Sequence, residues 1–534
     1  MGNTDFHEFR YKINIFSSKS TSLRIKNTKN VDIYLRYPFF FVILHAINQP
    51  NTYFLIYMKK IIFSILLLAL PLMASAGTKG EFNMPAVARP AIPANIVKLT
   101  DFGAKGDGTE LCTDAFAKAM KALTAKGGGI LEVPAGIWLT GPIQFENNIE
   151  LRTSTGTLVL FTDDIDAYPE VETLYEGNTM KRRMSPLYAY GKENIAITGH
   201  GTFDGNGQAW RPIKKNKLTE SQWKKLVANG GSVEKNIWYP ELKERVTTRP
   251  TLLDFMYCKK VLLQDATFSN SPAWNVHPCV CEDVTIERVN IKNPWFAQNG
   301  DGLDLESCTR AQILDATFDV GDDAICIKSG KDAEGRKLGK PCQQVIISGC
   351  TVLHGHGGFV IGSEMSGGAN DIRITNCVFN GTDTGIRFKS TRGRGGLVRN
   401  IFLDNIRMIN IAGDAFTFSL YYANKPIGGK ADKNTSAEDA VPPVTEETPC
   451  FKDIFLDNII CQGADRAIYF NGLPEMPIQN VIMENSLFIA KKGADINYAE
   501  DIDFSTTTIK VETGETMVEA HTKELKRPTP LPLP

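Results

Sequence analysis

The sequence predicts an all-β fold, a parallel β-helix with one short helix at its N-terminal end. Three features carry this expectation. Short apolar segments recur at intervals of about 23 to 34 residues, the range in which repeat architectures are found. Within each repeat, apolar and polar residues alternate with the period of a strand. No crossover helices separate the segments, so each coil can bury its apolar face only by stacking on the next.

From the N-terminus, Met58-Lys59-Lys60 is a short basic start, residues 61–73 are apolar, and Ala74-Ser75-Ala76 precedes Gly77. These are the three parts of a secretory signal peptide, residues 58–76, with cleavage after Ala76. The apolar stretch is too short for a comfortable membrane span. No cysteine follows it, so no membrane anchor is expected after cleavage. The expected destination is periplasmic or extracellular. Because such signals open a chain, residues 1–57 read as translation assigned upstream of the true start. Residues 77–96 read as a linker rich in proline and alanine, and 97–534 as a single β-helix domain. Residues 114–126 place Phe116, Met120 and Leu123 at helical spacing, and Gly127-Gly-Gly129 stops that helix.

The repeats then follow in three columns. One holds Ile195, Val261, Val284, Ala311, Val345, Ile372, Ile401, Ile454 and Val481. A second holds Phe203, Phe268, Ile291, Phe318, Val352, Phe379, Met408, Cys461 and Phe488. The third is a five-residue segment written in register as Ala273-Trp-Asn-Val-His277, Gly302-Leu-Asp-Leu-Glu306, Ala324-Ile-Cys-Ile-Lys328, Gly358-Phe-Val-Ile-Gly362, Gly385-Ile-Arg-Phe-Lys389, Ala415-Phe-Thr-Phe-Ser419 and Ala467-Ile-Tyr-Phe-Asn471. Its second and fourth places are apolar and point inward; its third and fifth are mostly polar and point outward. A β-sandwich is the competing fold, but the Asn-Gly pairs lack the flanking alternating strands that a hairpin needs. Residues 209–249 and 423–450 break the period and read as loops walling a binding face.

The 534 residues are 43% hydrophobic and 22% charged, with a net charge of -1. That is a globular composition without the basic field that nucleic-acid binding requires, so an anionic ligand would need a local cationic patch. The 11 cysteines are odd in number and lack zinc-site spacing; Cys279 and Cys281 stand too close for a CxxC motif. They read mostly as small buried hydrophobes.

Stacking the third column also aligns the turns that lead into it. Asn299-Gly300-Asp301, Gly321-Asp322-Asp323 and Gly355-His356-Gly357 precede successive strands, and Arg387 and Lys389 lie on the next. Rungs sit ~4.8 Å apart, so register alone brings three carboxylates, an imidazole and two cations to one face. Glycosidases need two carboxyl functions across the scissile bond, and crowded aspartates raise at least one pKa, keeping a proton for the leaving group.

These four motifs resemble those of the polygalacturonases, glycoside hydrolase family 28. The similarity runs from about Asp101 to about Asn485 and includes Thr251-Leu-Leu-Asp-Phe and Asn270-Ser-Pro-Ala-Trp-Asn-Val-His277. Gly300 stands where the family usually has threonine, and Phe388 where it usually has isoleucine. The resemblance implies a right-handed single-stranded parallel β-helix of the pectin-lyase-like type. It implies hydrolysis of α-1,4-galacturonic acid linkages in pectic polysaccharide with inversion, and no cofactor or metal. It implies Asp322 as general acid, Asp301 and Asp323 as the pair that holds and deprotonates water, and His356 as the residue that sustains the proton on Asp322. Arg387 and Lys389 would bind the substrate carboxylate, with Asn299 beside them. Tyr422, with Tyr421 as the alternative, would close the site. Arg392 and Arg394 could extend the cationic patch. Lys328 lies in the outward column, and the loop Ser329-Gly-Lys-Asp-Ala-Glu-Gly-Arg336 after it resembles one that helps shut the cleft in exo-acting bacterial members. His277 could orient the wall or touch ligand. Other readings are a rhamnogalacturonan or xylogalacturonan hydrolase, a calcium-dependent pectate lyase, and a glycan-binding β-helix without activity.

Overall fold

The computed structural model describes residues 82, 84–241, 243–422 and 441–531, together with two short strands, Leu23–Lys26 and Asp32–Leu35, that pair antiparallel. Those two strands belong to a unit of residues 1–77, separate from the unit of residues 78–534. The signal-peptide reading at 58–76 and most of the 423–450 insert lie outside the described residues.

The larger unit is a parallel β-helix. Its strands form a 24-stranded sheet, which carries two strands of each coil, and a 13-stranded sheet, which carries the third. The first apolar column stacks as read: Ile195 pairs with Val261, Val261 with Val284, and so on to Ile454 with Val481. The second stacks from Phe203 against Phe268 to Cys461 against Phe488. One residue ahead of the first column, the backbone turns a corner with left-handed φ, as at Asn194, Asp283, Asp371, Asn400, Asp453 and Asn480. Asn and Asp tolerate that region better than other residues with a Cβ, and six of these coils use them there.

The third column holds with one correction. Leu303 pairs with Ile325, Ile325 with Phe359, Phe359 with Ile386, Ile386 with Phe416 and Phe416 with Ile468, as the alignment has them. In the first coil of the column, however, Leu303 pairs with Val276, not with Trp274, so that segment is displaced by two residues. A two-residue shift preserves the alternation, and His277 still points outward, at the third place instead of the fifth. Trp274 leaves the coil interior and packs on Tyr175, with ring centroids 4.8 Å apart.

The helix is Thr113–Ala125, and it buries Phe116, Ala119, Met120 and Leu123 against the first coil. The linker is tied down along the wall: Arg89 donates to Glu287, and the Ala91 amide donates to Asn194. The 209–249 insert is not a plain loop. It folds into helices Glu220–Ala228 and Lys243–Thr248 and a small antiparallel sheet, with a capping box of Thr219 and Gln222 starting the first helix.

Every one of the 11 cysteines is a free thiol, and all but Cys450 are buried, in keeping with the apolar reading. Stacked aromatics fill the later coils; Phe388 lies on Phe418 with centroids 4.5 Å apart, both wholly buried. Offset ring stacking adds to the area each buries. Replacing Phe418 with alanine is expected to cost about 3–5 kcal/mol through lost burial and the cavity left behind. Denaturant unfolding measures this, and an unchanged midpoint would contradict the stacked core.

Candidate active site

Register places the site. The turn before strand Leu303–Glu306 carries Asp301, the turn before Ile325–Lys328 carries Asp322 and Asp323, and His356 precedes Gly357–Ile361. The turns are themselves laddered: the amide of Gly302 donates to Asp323 O at 2.9 Å, and that of His356 to Asp322 O at 2.8 Å. Gly300 is required by packing here. A Cβ on it would lie 2.6 Å from the Ala297 Cβ, so the loop of residues 294–297 presses on the turn that carries Asp301.

Carboxylate oxygens of Asp301, Asp322 and Asp323 all lie within 4.8 Å of one another. Asp323 accepts from Lys389 Nζ at 2.6 Å and from Arg387 Nη1 at 3.3 Å. Tyr422 caps both cations, its ring centre 4.9 Å from Lys389 Nζ and 5.6 Å from the Arg387 guanidinium. Tyr421 instead lies over Arg392, so the geometry favours Tyr422 as the closing residue.

The three carboxyls are driven apart electrostatically. Burial alone would raise Asp323, but Lys389 and Arg387 outweigh it and hold that carboxyl down at about 2. Asp322 is raised, by burial and then by the Asp323 charge, with His356 and Lys389 opposing. Asp301 is raised well above its usual value, by burial and then by Asp322. Asp323 is therefore shifted toward the ionised form, and Asp301 and Asp322 are shifted the other way. His356 is raised chiefly by its hydrogen bond to Asp383, which is lowered by the same bond; burial of His356 opposes, and the aspartates add to the rise.

The remaining expected residues have other partners. Lys328 is 3% exposed, donates to Glu364 Oε2 at 2.9 Å, and sits 3.5 Å from Asp304 Oδ1 and 4.6 Å from the Trp274 ring centre. It points outward from the floor strand but is covered by these partners. Arg392 grips Glu475 through two hydrogen bonds, and Arg394 pairs with Asp332 and donates to Ser363 O. Asn299 receives Arg249 Nη2 at 2.7 Å. His277 is wholly buried, with Nδ1 3.1 Å from Asp254 and Nε2 2.9 Å from Glu306. With Cys279 and Glu306 it forms a group compact enough for a metal ion, as do the three aspartates, but both its nitrogens already face carboxylates.

Sequence reasoning missed Asp304, whose carboxyl burial raises to about 7, together with Glu364, Asp383 and Arg249. Asp304 stands at the polar third place of its strand, which was a usable signal; the others come from turns between coils. It also missed a hairpin, Glu170–Tyr175 paired with Asn178–Arg183 through a tight turn at Glu176 and Gly177, both with positive φ. This hairpin rises from the chain before the floor strand Leu187–Tyr190. Its tip meets the chain after floor strand Ile325–Lys328: Lys331 N donates to Gly177 O at 3.3 Å, and Thr179 N to Glu334 Oε2 at 2.9 Å. Val171 and Leu174 pack on the outward side chains Met256 and Cys279. The hairpin thus bridges the two walls of the cleft over its earlier coils and explains why outward polar residues such as His277 are buried. The loop expected to help shut the cleft holds helix Asp332–Leu338, which forms the far abutment.

Comparison with known proteins follows this geometry. The model of the family described as glycosyl hydrolases family 28 matches residues 139–441. A probable polygalacturonase of Vitis vinifera is 29% identical over 414 residues, covering 76% of each chain. An exo-poly-alpha-D-galacturonosidase of Dickeya chrysanthemi is 29% identical over 462 residues, covering 82% of this chain and 74% of that protein. The crystal structure of a hyperthermoactive exopolygalacturonase from Thermotoga maritima aligns with a TM-score of 0.66 at 30% identity, over 81% of this chain and 93% of that one. A family 28 exopolygalacturonase of Yersinia enterocolitica shares the fold, with a TM-score of 0.68 at 24% identity, over 81% and 78% of the two chains.

Replacing Asp383 with asparagine is expected to lower the His356 pKa toward its ordinary value, since Asp383 is the largest source of its rise. NMR titration of the imidazole checks this; an unmoved midpoint would remove Asp383 from that role.

Proposed function

The chain belongs to family 28 of the glycosyl hydrolases, and on that premise we propose that it is a polygalacturonase acting on pectic polygalacturonate, releasing sugar from the non-reducing chain end with inversion. The observation that carries the reading is the Asp323 carboxylate clamped by Arg387 and Lys389, with carboxyl oxygens of Asp322 and Asp301 within 4.8 Å; burial and the Asp323 charge raise the Asp322 carboxyl, which favours its role as the acid. The chemistry follows. Asp322 gives its proton to the glycosidic oxygen as that oxygen's bond to the sugar breaks. Water attacks the anomeric carbon and passes a proton to the carboxylate of Asp323, while the Asp301 carboxyl holds that water by a hydrogen bond. Arg387 and Lys389, under the Tyr422 ring, supply the positive charge that a galacturonate carboxylate requires.

Inverting glycosidases usually hold their carboxyl groups about 6.5–9.5 Å apart to fit a water, whereas the nearest oxygens here lie within 4.8 Å. One water hydrogen-bonded at ~2.8 Å to each of two carboxyl groups spans about 4.4 Å between them, so a single bridging water still fits. The inversion reading therefore rests on the family resemblance and on that fit. NMR of the first anomer released is expected to show the β product; the α anomer would reverse the assignment.

Exo action is supported by the hairpin that bridges the cleft walls over the earlier coils. A chain end could enter such a cleft, and a chain could not run through it. Shortening the hairpin to remove Glu176, Gly177 and Asn178 is expected to change early products from short sugars to a ladder of oligomers. An unchanged pattern would separate the hairpin from chain-end selection. Secretion rests on the signal pattern at 58–76 and a mature start at Gly77, which N-terminal sequencing of exported material tests.

Asp322→Asn is expected to cut release of reducing ends from polygalacturonate by about 10²–10⁴-fold while folding is retained. Unchanged turnover would remove Asp322 as the acid.

A further inference from the structure

The loop that adjoins the aspartate turns carries a large exposed apolar side chain, Trp295. Trp295 is 55% exposed and meets Phe296 only edge-on, with centroids 5.9 Å apart. Its place is nonetheless rigid. The loop that carries it presses on the turns of two catalytic aspartates: a Cβ on Gly300 would meet Ala297 Cβ at 2.6 Å, and one on Gly321 would meet Pro294 O at 2.5 Å. Lys217, from the folded insert on the same wall, holds its ammonium 5.7 Å from the Trp295 ring centre. The same ammonium lies close enough to Asp383, the partner of His356, to lower that carboxyl. An indole face and a cation thus stand together at the rim of the aspartate cluster.

We propose that Trp295 and Lys217 form a sugar-binding subsite on the cleft wall, in which the indole stacks on the apolar face of a galacturonate ring and Lys217 pairs with its carboxylate. The assignment rests on the reading of the chain as a polygalacturonase. The chemistry fits that ligand closely. A pyranose presents C–H groups on one face to an aromatic ring, and an anionic sugar needs a cation beside that ring. Arg387 and Lys389 are already committed to Asp323 and the sugar at the cleavage point, so a neighbouring galacturonate needs its own cation. Lys217 is placed to serve as that cation. Both groups come from chain that precedes a floor strand, whereas Lys331 comes from chain that follows one.

The test compares Trp295→Ala, Trp295→Phe and Lys217→Met in the full chain with pentagalacturonate. Trp295→Ala is expected to raise KM on the order of tenfold, with a smaller change in kcat, and Trp295→Phe to restore most of the loss. Calorimetry in the Asp322→Asn background is expected to show Lys217→Met weakening pentagalacturonate while leaving its methyl ester unaffected. An unchanged KM for Trp295→Ala, or equal losses on acid and ester for Lys217→Met, overturns the subsite. A wild-type protein that releases no reducing ends from polygalacturonate overturns the functional reading instead, so the two failures are told apart.

Discussion

A carboxylate buried in protein stays ionised only where cations offset the loss of water, and Asp323 is held between two of them. Lys389 and Arg387 stand one coil beyond His356 and two coils beyond the aspartate they hold. Their charge pins Asp323 down, and the charge of Asp323 in turn helps push Asp322 up. Two neighbouring residues of one turn are thereby shifted in opposite directions, Asp322 toward keeping its proton and Asp323 toward losing it. Closeness of aspartates alone would give only mutual repulsion and a shared proton.

That ion pair depends on parallel coils stacking without slippage. Asp323 is separated from Arg387 and Lys389 by more than sixty positions in the chain and meets them because Ile325 sits over Phe359, and Phe359 over Ile386. The inward residues set this register, since each coil offers two apolar places in its floor strand and they bury only in one phase. The outward places are then free to carry chemistry. The same constraint explains the buried outward group in which Lys328, Asp304 and Glu364 balance one another under Trp274.

The columns of the solenoid were legible because one apolar residue returns at the same step of every coil. The three motif turns and the Arg387–Lys389 strand followed from that register without further assumption. The first floor segment was misplaced because Ala273 resembles the small residue that opens the other segments, whereas Trp274 departs to pack on Tyr175 from outside the coil. The bridging hairpin left only a short two-residue turn in a polar stretch, with no repeat to set it against. The fates of Arg392 and Arg394 were invisible for a related reason. Their partners Glu475 and Asp332 lie in turns whose positions the apolar period does not fix. What the periodicity governs could be read, and what depends on excursions from it could not.

The division of charge among the three aspartates is most directly measured by carbon-detected NMR titration of their carboxyl groups. The account predicts that Asp323 remains ionised down to about pH 2 while Asp301 and Asp322 take up protons above the ordinary carboxyl range. Asp323 taking up a proton before either neighbour would contradict it.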